Sequence, residues 1–148
     1  MAYSPMARNS LGMPLDESPA WPHNNLDLAI KFAKRCIELS RAESDPRYLG
    51  YAQTALKNWS GNPSTDVLLL NAIIKQSNHD FYGALNDLEI LLKKDSKNPQ
   101  AWLTKSAILT TLGEYEESKK CCAHLFGISD QLVIHACLSN AASLEGNA

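Results

Sequence analysis

Residues 64–98 read STDVLLLNAIIKQSNHDFYGALNDLEILLKKDSKN, and residues 98–130 read NPQAWLTKSAILTTLGEYEESKKCCAHLFGISD. A shift of 34 positions carries one onto the other without a gap, Leu68 onto Trp102. Val67 then falls on Ala101, Ala72 on Ser106, Ile74 on Ile108 and Phe81 on Tyr115. Ala84 falls on Ser118, Leu88 on Cys122, Leu91 on Leu125 and Leu92 on Phe126. Small meets small and large apolar meets large. A fixed period in this range marks a repeat architecture, in which each unit buries its apolar face only against its neighbours.

Each copy holds two segments with apolar residues at helical spacing, such as Leu70, Ile73 and Ile74, then Leu85, Leu88, Leu91 and Leu92. A turn divides them, His79-Asp80 in one copy and Gly113-Glu114 in the other, and glycine suits the left-handed position that ends a helix. Ala72, Ala84, Ser106 and Ser118 are small where two helices cross closely. A large side chain at Ala84 is expected to overpack that crossing, at about 1–3 kcal/mol.

These residues resemble the tetratricopeptide family, whose period is also 34. Its small residues are met at Ala72, Ala84, Ser106 and Ser118, its second-helix aromatic at Phe81 and Tyr115, and its opening Trp at Trp102. Departures are Leu68 for the Trp, Lys105 for the usual Leu, Lys75 and Leu109 for the first-helix Tyr, and Ser96 and Asp130 for the closing Pro. The stretch DPRYLGYAQTALKNW, residues 45–59, is also similar to one near the start of longer bacterial tetratricopeptide proteins of unknown function. The resemblance implies an all-α, right-handed superhelix of three hairpins plus one final helix.

Outward from the repeat, residues 26–60 read as a divergent first hairpin. Asn25 is the expected N-cap of a helix whose apolar stripe is Leu28, Ala29, Phe32, Ala33, Cys36, Ile37 and Leu39. Lys31, Lys34 and Arg35 read as its solvated face. Asp45-Pro46 restarts the chain as acceptor plus first-turn proline, and Tyr48, Leu49, Ala52, Leu56 and Trp59 form the next buried side. The hairpins 65–94 and 99–127 follow, with Glu116–Lys120 as an i,i+4 pair. A last helix is expected over 131–144, its apolar side Val133, Ala136, Cys137, Ala141 and Leu144. Either this helix closes the stack as its cap, or the chain continues or pairs with another copy there. Residues 1–24, with four prolines and no period, read as a disordered or loosely packed leader in which only Trp21 has the apolar area to dock.

The totals exclude several classes. With 148 residues, 45% hydrophobic and 20% charged, the chain is globular, and a net charge of −2 draws it neither to nucleic acid nor to anionic membrane. No apolar run reaches the roughly 18 residues of a membrane span, and no signal peptide is visible. Four cysteines, two of them adjacent, do not read as a disulfide framework, so a reducing cytoplasm is expected. Cys121, Cys122 and His124 lack the paired spacing of a structural zinc site and read as ordinary packing, with Cys36 and Cys137 as small core residues. No nucleophile motif, phosphate loop or carboxylate pair is recognisable. No enzyme, cofactor or metal is therefore expected.

A stack of hairpins binds other proteins through its concave face. The resemblance places that groove at Leu69, Leu70, Ile73 and Gln76 with Ser77, then at Leu103, Thr104, Ala107 and Thr111 with Thr110. This lining lacks the Lys, Arg and Asn set with which some family members hold a terminal carboxylate, so an apolar peptide or an amphipathic helix is the expected partner. The alternative partner is a second copy, through Val133, Cys137 and Leu144 on the last helix.

Overall fold

The computed structural model describes residues 25–146; the leader and Trp21 lie outside them. The described chain is all-helical: α1 (Leu26–Ala42), α2 (Arg47–Leu56) with a 3₁₀ turn at Lys57–Trp59, α3 (Thr65–Ser77), α4 (Phe81–Lys94), α5 (Pro99–Thr111), α6 (Tyr115–Ala123) and α7 (Gln131–Gly146). No β-strand occurs among the described residues. The chain divides into two compact units, one up to Leu70 and one from Asn71.

In the first unit α1 packs on α2. The Asn25 side chain accepts the Leu28 N–H at 3.1 Å and so caps α1 as expected. The buried stripe is Ala29, Ile30, Phe32, Ala33, Cys36, Ile37 and Leu39. Leu28, expected inside, is 40% exposed, and Ile30 takes its place. Leu28 and Ile30 lie about 100° to either side of Ala29 on the helix, so a helical period admits either edge of the stripe, and tertiary packing decides between them. Asp45 holds the start of α2: Oδ1 accepts the Arg47 N–H at 3.0 Å, and Oδ2 accepts from Arg47 Nη2 at 2.7 Å. The guanidinium hydrogen bond, with the backbone N–H next, keeps the Asp45 carboxyl below the usual carboxylate range. Tyr48, Leu49, Ala52, Ala55 and Leu56 are buried; Trp59, in the 3₁₀ turn, is only half-buried.

The period of 34 reappears in the backbone of the second unit. Asp80 N–H donates to Lys75 C=O at 2.8 Å, and 34 residues on, Glu114 N–H donates to Leu109 C=O at 2.8 Å. Between them His79 (φ 64°) and Gly113 (φ 81°) hold the left-handed position. This is the six-to-one helix stop. The turn between α1 and α2 has the same form, with Ser44 at φ 52° and Asp45 N–H on Ser40 C=O at 3.1 Å. Three turns thus share one geometry though their residues are Ser, His and Gly.

The small positions are buried as expected: Ala72 and Ala84 are fully buried, as is Ser118, and Ser106 is 3% exposed. Asn98 caps α5 through the Ala101 N–H at 3.1 Å, with Pro99 in the first turn. The acidic start of α6 pairs forward by three residues, not four: Glu117 with Lys120 at 2.9 Å and Glu116 with Lys119 at 3.4 Å. Asp130 Oδ1 accepts the Val133 N–H at 3.0 Å, which sets the start of α7.

Candidate interaction groove

In the second unit α7 packs on both α5 and α6. Its buried residues are Ile134, Cys137 and Ala141, with Val133 and Leu138 half-buried. Of the expected Val133, Ala136, Cys137, Ala141 and Leu144, Cys137 and Ala141 are buried, and Ile134 takes the inward place of Val133. Ala136 and Leu144 are exposed, Leu144 by 44%. Cys122, Leu125, Ile134 and Cys137 form one cluster, flanked by Trp102, Leu103, Ile128, Val133 and Leu138.

Two of the cysteines correct the sequence reading. Cys122 and Cys137 form a disulfide, their Cα atoms 5.7 Å apart across a sequence separation of 15. Neither the adjacent cysteine pair nor the spacing signals this bond, because it depends on where α7 returns to α6. Cys121, which the shift of 34 aligns with Asp87, is buried, and so is Asp87. Desolvation raises the Cys121 thiol above its ordinary range, so it remains a neutral thiol. His124 lies flat against Trp102, ring centroids 3.9 Å apart and planes 8° off parallel, and Lys105 Nζ stands 5.5 Å from that indole centroid.

Beside the bridge lies a group of hydroxyls. Ser118 donates to the Ser106 carbonyl at 2.9 Å, while Thr110 Oγ1 and Ser106 Oγ lie 2.6 and 2.8 Å from Ser118 Oγ. Ser106 Oγ is also 3.3 Å from both sulfurs. In the disulfide the sulfurs carry no hydrogen, so Ser106 can only donate to them.

Between α5 and α7 opens a cavity of about 380 Å³ lined by Leu103, Ser106, Ala107, Val133, Ala136, Cys137 and Asn140. It joins two surfaces that sequence reasoning held apart. Leu103 and Ala107 belong to the expected groove, and Val133 and Cys137 to the expected self-association face. The other groove candidates do not line it. Leu70 is buried, Leu69, Ile73, Gln76 and Thr104 are half-buried, and Thr111 is exposed. Ser106, Ala136 and Asn140 were missed. Ser106 falls on a small crossing position, and Ala136 and Asn140 become a wall only because this part of α7 faces α5.

The lining carries no Asp, Glu, His, Lys or Arg. General acid–base chemistry therefore has no proton carrier in this cavity, whereas an apolar side chain finds van der Waals surface on both walls. Among the described residues no helix is long and apolar enough to cross a membrane. No protein-family model, curated protein or solved structure matches this chain.

Proposed function

We propose that this chain is a non-enzymatic, cytoplasmic interaction module of the tetratricopeptide kind, which holds an apolar segment of a partner protein in the groove between α5 and α7. The observation that carries the reading is the uncharged cavity itself, with Leu103 and Ala107 on one wall and Val133 and Ala136 on the other. Its volume falls at the lower end of ligand sites, enough for one or two inserted side chains. Each fully buried Leu or Phe contributes about 1.5–3 kcal/mol. The gapless period of 34 and the repeated turns of the second unit support the tetratricopeptide assignment.

A library of amphipathic and extended apolar peptides, displayed and selected on the chain, tests this. Ala107→Trp, which fills the groove, is expected to weaken the selected peptides at least tenfold while leaving the helical circular dichroism unchanged. Equal binding by the variant, or no enrichment on the parent chain, rejects the groove.

A second reading is favoured by one further observation. Leu132 is 79% exposed and Leu144 44%, and with Ala136 and Asn140 they form an i,i+4 stripe along α7. A second copy of the chain covers such a stripe in an assembly. Light scattering over a hundredfold dilution is then expected to show reversible association, abolished in Leu132→Glu and Leu144→Glu. A monomer at every concentration ends that reading.

A further inference from the structure

We infer that the Cys122–Cys137 bridge is a thiol–disulfide switch that sets the α7 wall of the groove, so that the redox state of the bridge and occupancy of the groove control one another. This rests on the groove reading for its consequence, but the switch itself is read from the bridge and its surroundings.

Three observations converge on it. First, the two half-cystines are placed differently: Cys122 is fully buried in α6 and does not line the cavity, whereas Cys137, also buried, is one of the residues that line it. A small thiolate entering the groove therefore approaches the bridge from the Cys137 side, and a side chain seated in the groove blocks the same approach. Second, α7 is held inward by few groups. Among its described side chains the buried set is Ile134, Ala141 and the bridged Cys137, against seven buried residues on α1. Opening the bridge removes the covalent member of that set. Third, Ser106 Oγ stands 3.3 Å from both sulfurs, at the edge of the hydroxyl group it shares with Ser118 and Thr110. Its hydroxyl can turn to either sulfur, which supplies a donor to a thiolate formed there.

The chemistry is ordinary exchange with a dithiol reductant. The reductant's thiolate attacks Cys137 Sγ, the sulfur–sulfur bond breaks, and its electron pair leaves on Cys122 Sγ beside the Ser106 hydroxyl. The reductant's second thiol then attacks its own sulfur in the mixed disulfide and releases Cys137. Both cysteines finish as thiols with two protons and two electrons from the dithiol, which ends as its own disulfide. A disulfide oxidant runs the sequence backwards. Cys121, though adjacent to Cys122, is buried and protonated and takes no part. In a reducing cytoplasm such a bridge is transient and reports oxidation.

The test uses the whole chain and dithiothreitol, with intact mass, thiol trapping and amide hydrogen exchange as readouts. Under native conditions the bridge is expected to open before Cys36 or Cys121 becomes reactive, and exchange over 131–144 to rise at least tenfold with α1 and α2 unchanged. The Cys122→Ser/Cys137→Ser chain should show the fast exchange in either redox state. Ala107→Trp, by filling the cavity, should slow reduction at least fivefold. Reduction only on global unfolding, or unaltered exchange in α7 after reduction, overturns the switch. These readouts need no partner, so a failed peptide selection with an intact redox response rejects the groove as a partner site and leaves the switch standing. Slowing of reduction by a selected peptide ties the two together.

Discussion

Ser106 on α5 and Ser118 on α6 meet through hydroxyls 2.8 Å apart, in a place where both are buried. The equivalent pair one repeat earlier, Ala72 and Ala84, is fully buried with no polar side-chain atom. The same crossing is thus built once from methyl groups and once from a hydrogen-bonded set.

Ser118→Ala fits the space, as Ala84 shows, but leaves Thr110 without its hydroxyl partner and the Ser106 carbonyl without its donor. The expected loss is about 1–3 kcal/mol, read as a lowered urea midpoint. Ser106→Ala/Thr110→Val/Ser118→Ala should recover part of it, because replacing every partner leaves no orphaned group. Equal stability of the triple and single variants counts against the network.

Lys75 Nζ lies 2.8 Å from Asp87 Oδ2, an oxygen with no directed hydrogen bond among the described residues. One repeat later the same two positions are Leu109 and Cys121. Lys75→Leu alone strands a buried carboxylate and is expected to cost about 1–3 kcal/mol. Lys75→Leu/Asp87→Ala, which imitates the later hairpin, should return to within about 1 kcal/mol of the parent. Thermal unfolding of the three chains decides the matter.

Gly113 has a φ of 81° and nothing near the place of an added Cβ, so Gly113→Ala meets conformational strain and no collision. About 1 kcal/mol of destabilisation is expected. His79, at the equivalent position with φ 64°, already bears that strain, and His79→Gly should leave stability unchanged or raise it. Chemical denaturation of both variants reads the difference.

Burial pushes the Cys36 thiol up to about 12. The folded value lies above the unfolded one, so the contribution is complete below about pH 8.5 and is lost as pH rises toward 12. Iodoacetamide at pH 8.5 should modify Cys36 at the rate of global unfolding. Between pH 8.5 and 10.5 the parent should lose more stability than Cys36→Ala, although the variant starts lower through its cavity. Parallel pH profiles sink this reading.

The sequence by itself determined the helices, the cap of the first one at Asn25, and the two-copy register of 34, because these rest on local hydrogen bonds and on spacing along one chain. It also determined which small residues lie at the crossings, since Ala72, Ala84, Ser106 and Ser118 stand out against large apolar neighbours. Only the tertiary structure decided which edge of a stripe turns inward, Leu28 against Ile30 and Val133 against Ile134. A helical period tolerates either, and the facing helix chooses. The bond between Cys122 and Cys137, and the cavity where α5 faces α7, likewise depend on where a helix returns in space. That is a distance between residues remote in the chain, and no local pattern encodes it.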